Sequence, residues 1–138
     1  FLLKIFKLPR ITILRPFLPQ PFVTAALLQN EALKVVLDMN EEWTKLQEDG
    51  SGMVTGVTVV RNEFLKENED AVKRFIQAHE ESAAAINADV EKGATLAVEA
   101  GIVAKEPIAK KAIPECNITC VTGAEMKVAL EKYLNVLV

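Results

Sequence analysis

The residue types that carry most enzyme chemistry are few or isolated in this chain. His79 is the only histidine, so the sequence contains neither a histidine-based triad nor a site with several histidine ligands. It falls on the apolar face of a predicted helix, four residues after Phe75, which favours a packed histidine. Acidic residues are plentiful but fall on predicted solvent-facing helix surfaces. The sequence therefore predicts no catalytic residue, no metal ligand and no cofactor.

The two cysteines, Cys116 and Cys120, lie four residues apart in the sequence ECNITC. In an extended segment their Cα atoms would be about 13 Å apart, too far for a disulfide. The spacing is not that of a usual zinc site, and no histidine lies nearby. We expect two free thiols. A disulfide would require a tight turn at this point.

Two places have the residue types that bind a small polar or anionic molecule. Pro19, Gln20 and Pro21 precede a predicted helix that contains Thr24, so free amides and two polar side chains could meet an anion there. The second place is Thr55, in a segment with nearby glycines. The alternative interpretation is structural. In it, the Pro-Gln-Pro sequence is only a rigid turn and Thr55 is only a strand residue. The predicted ligand-binding residues are Gln20, Pro21, Thr24 and Thr55, with Gln20 pointing into a cleft.

Alternating patterns along the chain predict an α/β fold. Val and Thr dominate residues 54–60, which indicates a short buried strand, and residues 34–39 and 116–121 are further predicted strands. Helical spacing of apolar residues follows Asn68, which we expect to cap a long helix. Strands that lead into amphipathic helices are the building units of α/β proteins. The other predicted helices cover residues 22–28, a short stretch after Asn40, 90–100, 107–113 and the C-terminal residues after Thr122.

Two of these helices have continuous apolar faces that predict a shared core. The spacing of three or four residues places each set on one side of its helix. The predicted core residues are Val72, Phe75, Ile76, Leu130, Tyr133 and Leu134.

Composition is that of a globular protein or a piece of one. Half of the 138 residues are apolar and a quarter are charged. The net charge is −3 overall and +4 over residues 1–20, so the remaining residues have a net charge of −7, which argues against nucleic-acid binding. The basic N-terminus has two interpretations. It is either a targeting or membrane-surface segment, or else a divergent strand at residues 11–14 or sequence of other origin.

Three blocks of sequence carry a resemblance to a known family. They read LPQPFVTAALLQNEALKVVLDMNEEW, GSGMVTGVTVVRNEFLKENEDAVKRFI and IPECNITCVTGAEMKVALEKYLNVL. In this order and spacing they are similar to the C-terminal half of ABC-transporter substrate-binding proteins of the nitrate, sulfonate and taurine type. The likeness extends from Leu18 to Leu137. Residues 1–17 do not match the family, and the family's first half has no counterpart here.

The resemblance implies the C-terminal portion of a two-lobed type II periplasmic-binding fold with a helix-rich C-terminus. Residues 1–51 would form part of lobe 2, and residues 52–138 a hinge crossover strand and the helices that complete lobe 1. The implied function is capture of a small polar or anionic organic solute, as a monomer outside the cytoplasmic membrane, and delivery to an ABC permease. Membrane attachment would require an anchor that is not in this chain.

Two other function classes remain open from the sequence. Thiamine-pyrimidine synthases resemble the same fold, but they use a cysteine-rich motif and histidines that this segment lacks. A non-catalytic helical interaction module is suggested by the helix-rich C-terminus, and it would have no ligand cleft.

Overall fold

The computed structural model describes residues 16–48 and 50–137. These residues form seven α-helices and a short 3-10 helix, and none of them belongs to a β-strand. No helix among them is both long and apolar enough to cross a membrane. In chain order the elements are α1 (Phe22–Gln29), α2 (Met39–Leu46), α3 (Asn62–Glu67), α4 (Glu69–Ala88), α5 (Val90–Glu99), α6 (Glu106–Ala112), the 3-10 helix (Ile113–Glu115) and α7 (Gly123–Leu137).

The predicted α/β fold is wrong, and with it the predicted C-terminal portion of a type II periplasmic-binding fold. Residues 34–38 and 54–60 have no regular secondary structure, and residues 116–117 form a turn. A strand is stabilised by pairing and packing against its neighbours. Within the described residues these segments have no such neighbour, and Val59 is 85% exposed. A high β-propensity is therefore not sufficient here. The predicted strand at residues 11–14 lies outside the described residues.

The predicted helices are confirmed to within about two residues at their ends, as is usual for helix boundaries. The cap of α2 differs from the prediction, because the carboxylate of Asp38 accepts hydrogen bonds from the amides of Asn40 and Glu41 at 2.8 and 3.2 Å. Helix α3 was not predicted. It immediately precedes Asn68, whose backbone carbonyl accepts hydrogen bonds from the amides of Ala71 and Val72 in α4.

The backbone divides into two compact units, and each is described by itself. The first comprises the described residues of Phe1–Lys34 together with Ser82–Ile118. The second comprises those of Val35–Glu81 together with Thr119–Val138. The division into parts 1–51 and 52–138 stays a prediction from the family resemblance.

The first unit has a small core between α5 and α6. Ala94 of α5 and Ala109 of α6 are completely buried, and Ile113 is 5% exposed. Small side chains let the two helix backbones approach closely. The helices can then pack without a gap although few large side chains lie between them. Helix α1 also packs against α6. The partly buried residues around this core are Ile86, Val90, Val103 and Ile118.

The second unit has no comparable core among its described residues. None of the residues in α2, α3 or α7 is fully buried. Its main aromatic contact joins Trp43 of α2 and Tyr133 of α7, whose ring centroids are 5.1 Å apart at 46°. Such tilted pairs stabilise by about 0.5–1.5 kcal/mol beyond the area that they bury. The second unit is therefore held by scattered contacts instead of a continuous interior.

The predicted core between α4 and α7 is wrong, because none of its six residues is buried. Phe75, Ile76 and Leu134 are 54%, 39% and 47% exposed, whereas Val72, Leu130 and Tyr133 are half-buried. Apolar spacing identifies which face of a helix is apolar, but it does not supply the surface that covers that face.

Gly93 of α5 provides a test of how α5 packs against Ile86 of α4 and Ile113 of the 3-10 helix. A Cβ atom at this position would lie 2.5 Å from Cγ1 of Ile86 and 3.6 Å from Cδ1 of Ile113. Overpacking costs about 1–3 kcal/mol, and the better helix propensity of alanine offsets about 1 kcal/mol of it. We expect Gly93→Ala to lower the free energy of unfolding by about 1 kcal/mol, measured by urea denaturation.

The matched control is the same substitution in an Ile86→Ala background, where the clash is removed. There Gly93→Ala should be neutral or stabilising. Equal destabilisation in both backgrounds would contradict the packing described here.

Candidate functional site

The turn before α1 joins two of the predicted binding residues. The hydroxyl of Thr24 donates a hydrogen bond of 2.7 Å to the side-chain oxygen of Gln20. Thr24 is 7% exposed and Gln20 is half-buried. Gln20 lies in the turn before α1 and Thr24 in the first turn of the helix, so the turn and the helix start bring them together. The first consequence is structural, because the Gln20 oxygen satisfies a buried hydroxyl.

The amides at the start of α1 are also engaged. Those of Phe22 and Val23 donate to the carbonyl oxygen of Pro19 at 2.9 and 3.2 Å, and the residue before the helix, Pro21, has no amide hydrogen. An anion at this terminus would have to displace these backbone hydrogen bonds. The side-chain nitrogen of Gln20 is the remaining donor of the pair. Among the described residues, no acceptor forms a hydrogen bond with it. The turn can offer one amide donor to a ligand.

Thr55 belongs to the second unit, whereas Gln20, Pro21 and Thr24 belong to the first. It is exposed and lies in a segment without regular secondary structure. Its role in binding stays a prediction, as do the roles of the other three residues.

The second unit has a shallow groove that the sequence analysis did not predict. Its volume is about 430 Å³. It is lined by a Gly-Ser-Gly turn and by one face of α7: Gly50, Ser51, Gly52, Ala124, Glu125, Val128, Ala129 and Lys132. We call it the Ser51 groove. The spacing of its α7 residues is helical and could have indicated a common face, but the sequence gives no sign that the distant turn lies beside it.

The polar group at the base of the Ser51 groove has a structural role. Ser51 is 4% exposed, and its hydroxyl accepts a hydrogen bond of 3.3 Å from the indole Nε1 of Trp43. Gly50, with φ +69°, supplies the left-handed conformation that the turn requires. The walls are mainly apolar, with the acidic Glu125 and the basic Lys132 among them. Such a groove can bind a molecule non-covalently, through apolar contact and charge.

A polar cluster in the first unit connects α5 with α6. Lys110 forms an ion pair with Glu91 and lies 3.9 Å from a carboxylate oxygen of Glu106. The Glu91 hydrogen bond raises the pKa of Lys110. Thr95 donates to Glu106 at 3.2 Å. The pair is exposed to solvent, and such pairs contribute little to stability. The cluster is therefore a set of surface ion pairs and hydrogen bonds between two packed helices.

The cysteines and the histidine complete the set of reactive side chains. Cys116 and Cys120 are free thiols, as predicted, although the extended segment predicted for them is wrong at Cys116, which follows the 3-10 helix in a turn. His79 is exposed, with its ring centroid 6.0 Å from that of Phe75. Across the part of the chain that the structure describes, no three potential metal ligands of the His, Cys, Asp or Glu type come together.

Comparison of the chain with protein-family models, with curated proteins and with solved structures found no match. The geometry of the chain's own residues and the sequence resemblance are therefore the basis for a function.

The hydrogen bond between Thr24 and Gln20 predicts a stability effect that the sequence did not indicate. Gln20→Ala removes the acceptor of a buried hydroxyl, so we expect the free energy of unfolding to fall by about 1 kcal/mol. Urea denaturation followed by circular dichroism measures this change. Gln29→Ala, at the exposed end of the same helix, is the matched control and should change stability little.

A double-mutant cycle separates the hydrogen bond from other effects of the substitution. Once Thr24→Val has removed the donor, Gln20→Ala should cost clearly less than it does alone. Equal costs in the two backgrounds would mean that the hydrogen bond does not stabilise the turn.

The pKa of Cys116 gives a pH-dependent prediction. Partial desolvation of the thiol, and secondly the negative charge of Glu115, raise this pKa above its ordinary value. A raised pKa lowers the thiolate fraction at any pH below it, and the thiolate is the nucleophile. In a Cys120→Ser background, we expect the folded chain to react with iodoacetamide more slowly at mildly alkaline pH than the urea-unfolded chain.

Glu115→Gln removes one of the two causes and should shift the rate–pH profile towards lower pH. Identical profiles for the folded and unfolded chains would contradict this account of the thiol.

Proposed function

We propose that this chain acts by non-covalent binding, as part of the extracytoplasmic solute-binding component of an ABC importer. The observation that carries the proposal is the succession of three family-like sequence blocks between Leu18 and Leu137. The proposal does not depend on the α/β architecture, which the described residues do not form. It depends on the order and spacing of the blocks over most of the chain.

The proposed solute is a small polar or anionic organic molecule. Support comes from the turn before α1, where Gln20 and Thr24 form a half-buried polar pair beside a helix N-terminus. A side-chain amide of this kind can donate a hydrogen bond to a carboxylate or sulfonate oxygen. Pro21 fixes the approach of the chain to the helix. Thr55, which belongs to the second unit, is proposed as a binding residue by itself.

The proposed partners are the permease subunits of the importer, and the proposed location is the outer side of the cytoplasmic membrane. The chain would bind and release its solute without changing it. Catalysis has no part in the proposal, and neither does a cofactor.

A second candidate, a helical interaction module, is favoured by a specific observation. The described residues are helical or irregular, and many of their large apolar side chains are exposed, including Leu46, Phe75 and Leu137 at 77%, 54% and 59%. Exposed apolar surface on this scale is typical of a protein that packs against another protein. In this alternative the apolar helix faces are the functional surface, and no solute is bound.

A genetic test separates the two candidates. For the importer, we expect the coding region to lie beside genes for a membrane permease and an ATPase. Deletion should reduce uptake of a solute from a panel of nitrate, taurine and alkanesulfonates at low external concentration, and reintroduction of the gene should restore it. The reason is that capture by the binding component limits import when the solute is scarce.

Unchanged uptake of every solute in the panel, together with a gene neighbourhood that encodes no permease, would contradict the importer proposal. A Gln20→Ala variant that restores uptake as well as the parent chain does would remove the α1 turn from the binding site but not the importer itself. Gln29→Ala serves as the control for expression and stability in the same cells.

A further inference from the structure

Residues 54–60, with the sequence VTGVTVV, have a composition unlike that of the surrounding helices. Four are valine and two are threonine, and the segment contains neither charge nor proline. β-branched residues favour the pleated conformation of a strand. Short uncharged segments of this kind are also those that pair between chains.

The structure leaves this segment open to solvent. It lies between the Gly-Ser-Gly turn and α3, and forms neither helix nor strand. Val57, Val59 and Val60 are 57%, 85% and 41% exposed. Among the described residues, no hydrogen bond joins the backbone of residues 54–60 to another backbone group. An unpaired backbone with exposed valines presents both the hydrogen-bonding groups and the apolar surface that strand pairing uses.

We propose that residues 54–60 form an interaction surface for a second copy of this chain, on which the two identical segments pair as antiparallel β-strands. The segment is self-complementary, because two uncharged strands meet without like-charge repulsion. With Val57 opposite Val57 of the second copy, Val54 is opposite Val60 and Thr55 is opposite Val59. Aliphatic β-branched pairs of this kind stabilise adjacent strands.

The charge next to the segment selects the antiparallel orientation. Arg61 follows directly, and Met53 directly precedes the segment. In a parallel, in-register pair the two Arg61 side chains would be opposite each other, and like charges in that position are destabilising. In the antiparallel pair Arg61 is opposite Met53. The pairing has twofold symmetry and uses the same patch on both copies, as is common in homodimers.

The expected association is weak, because an isolated two-stranded ribbon is only marginally stable in water. It should therefore increase with protein concentration. Each pair also keeps two outer strand edges, to which further copies can add. The diagnostic property is new β-structure on association, since the described residues of the single chain contain none.

Sedimentation velocity over a wide concentration range, combined with amide I infrared spectra of the same samples, tests the proposal. We expect larger species at high concentration, and a β-sheet band that grows with them. Val57→Lys places two ammonium groups opposite each other at the symmetry axis and should weaken association roughly tenfold. Val36→Lys, at a valine that is 74% exposed in another irregular segment of the same unit, is the matched control and should change association little.

Mixing provides the decisive arm of the experiment. V57K and V57E should each associate poorly alone, and an equimolar mixture should regain association because unlike charges then lie opposite each other. In a Cys116→Ser, Cys120→Ser background, a mixture of M53C and R61C should form intermolecular disulfides, whereas M53C alone should not.

Three results would overturn the proposal. One is a chain that stays monomeric at all concentrations, and another is association without a β-sheet band, which would indicate contact through the apolar helix faces. The third is equal weakening by Val57→Lys and Val36→Lys, because a general effect of added charge would then explain the loss.

Discussion

The close contact between α5 and α6 is the constraint on which the first unit depends. Ala94 and Ala109 are completely buried, yet neither has a large side chain. Their burial requires the two backbones to lie near each other, and Gly93 of α5 makes room for Ile86 of α4 beside this contact. A larger side chain at any of these positions would separate the helices and expose the others. The stability of the unit therefore depends on small side chains at these positions.

The polar residues of the first unit follow from this packing. One polar cluster connects α5 and α6 at their exposed surface: Thr95 donates to Glu106, and Lys110 pairs with Glu91 and lies near Glu106. Exposed contacts of this kind add little stability. At the other end of the unit, the hydrogen bond of Asn87 to the Ile118 carbonyl, at 2.8 Å, holds the segment that follows the 3-10 helix. These groups are thus explained by the fold before any ligand is considered.

The helices of this chain could be predicted from the sequence because their signals are local. Capping residues, apolar spacing of three or four and glycine or proline at the ends all act within one turn, so α1, α4, α5 and α7 were located closely. A strand is different, because it depends on a partner that the local sequence does not specify. Residues 54–60 have the composition of a strand but no partner in the described structure. Composition therefore predicted a conformation that these residues do not have in the described structure.

The candidate sites differ in the same way, because one joins residues that are close in sequence and the other joins residues that are far apart. The pairing of Gln20 with Thr24 is local, because the turn before α1 and the first turn of the helix bring together two residues that are four apart. The Ser51 groove could not be predicted, because it joins a glycine-rich turn to a helix more than seventy positions later, and only folding brings them together. The buried hydroxyl of Ser51 in this groove already accepts a hydrogen bond from Trp43. A ligand in this unit would therefore be held by groups on the walls, and its affinity would be set by how well it covers exposed apolar surface.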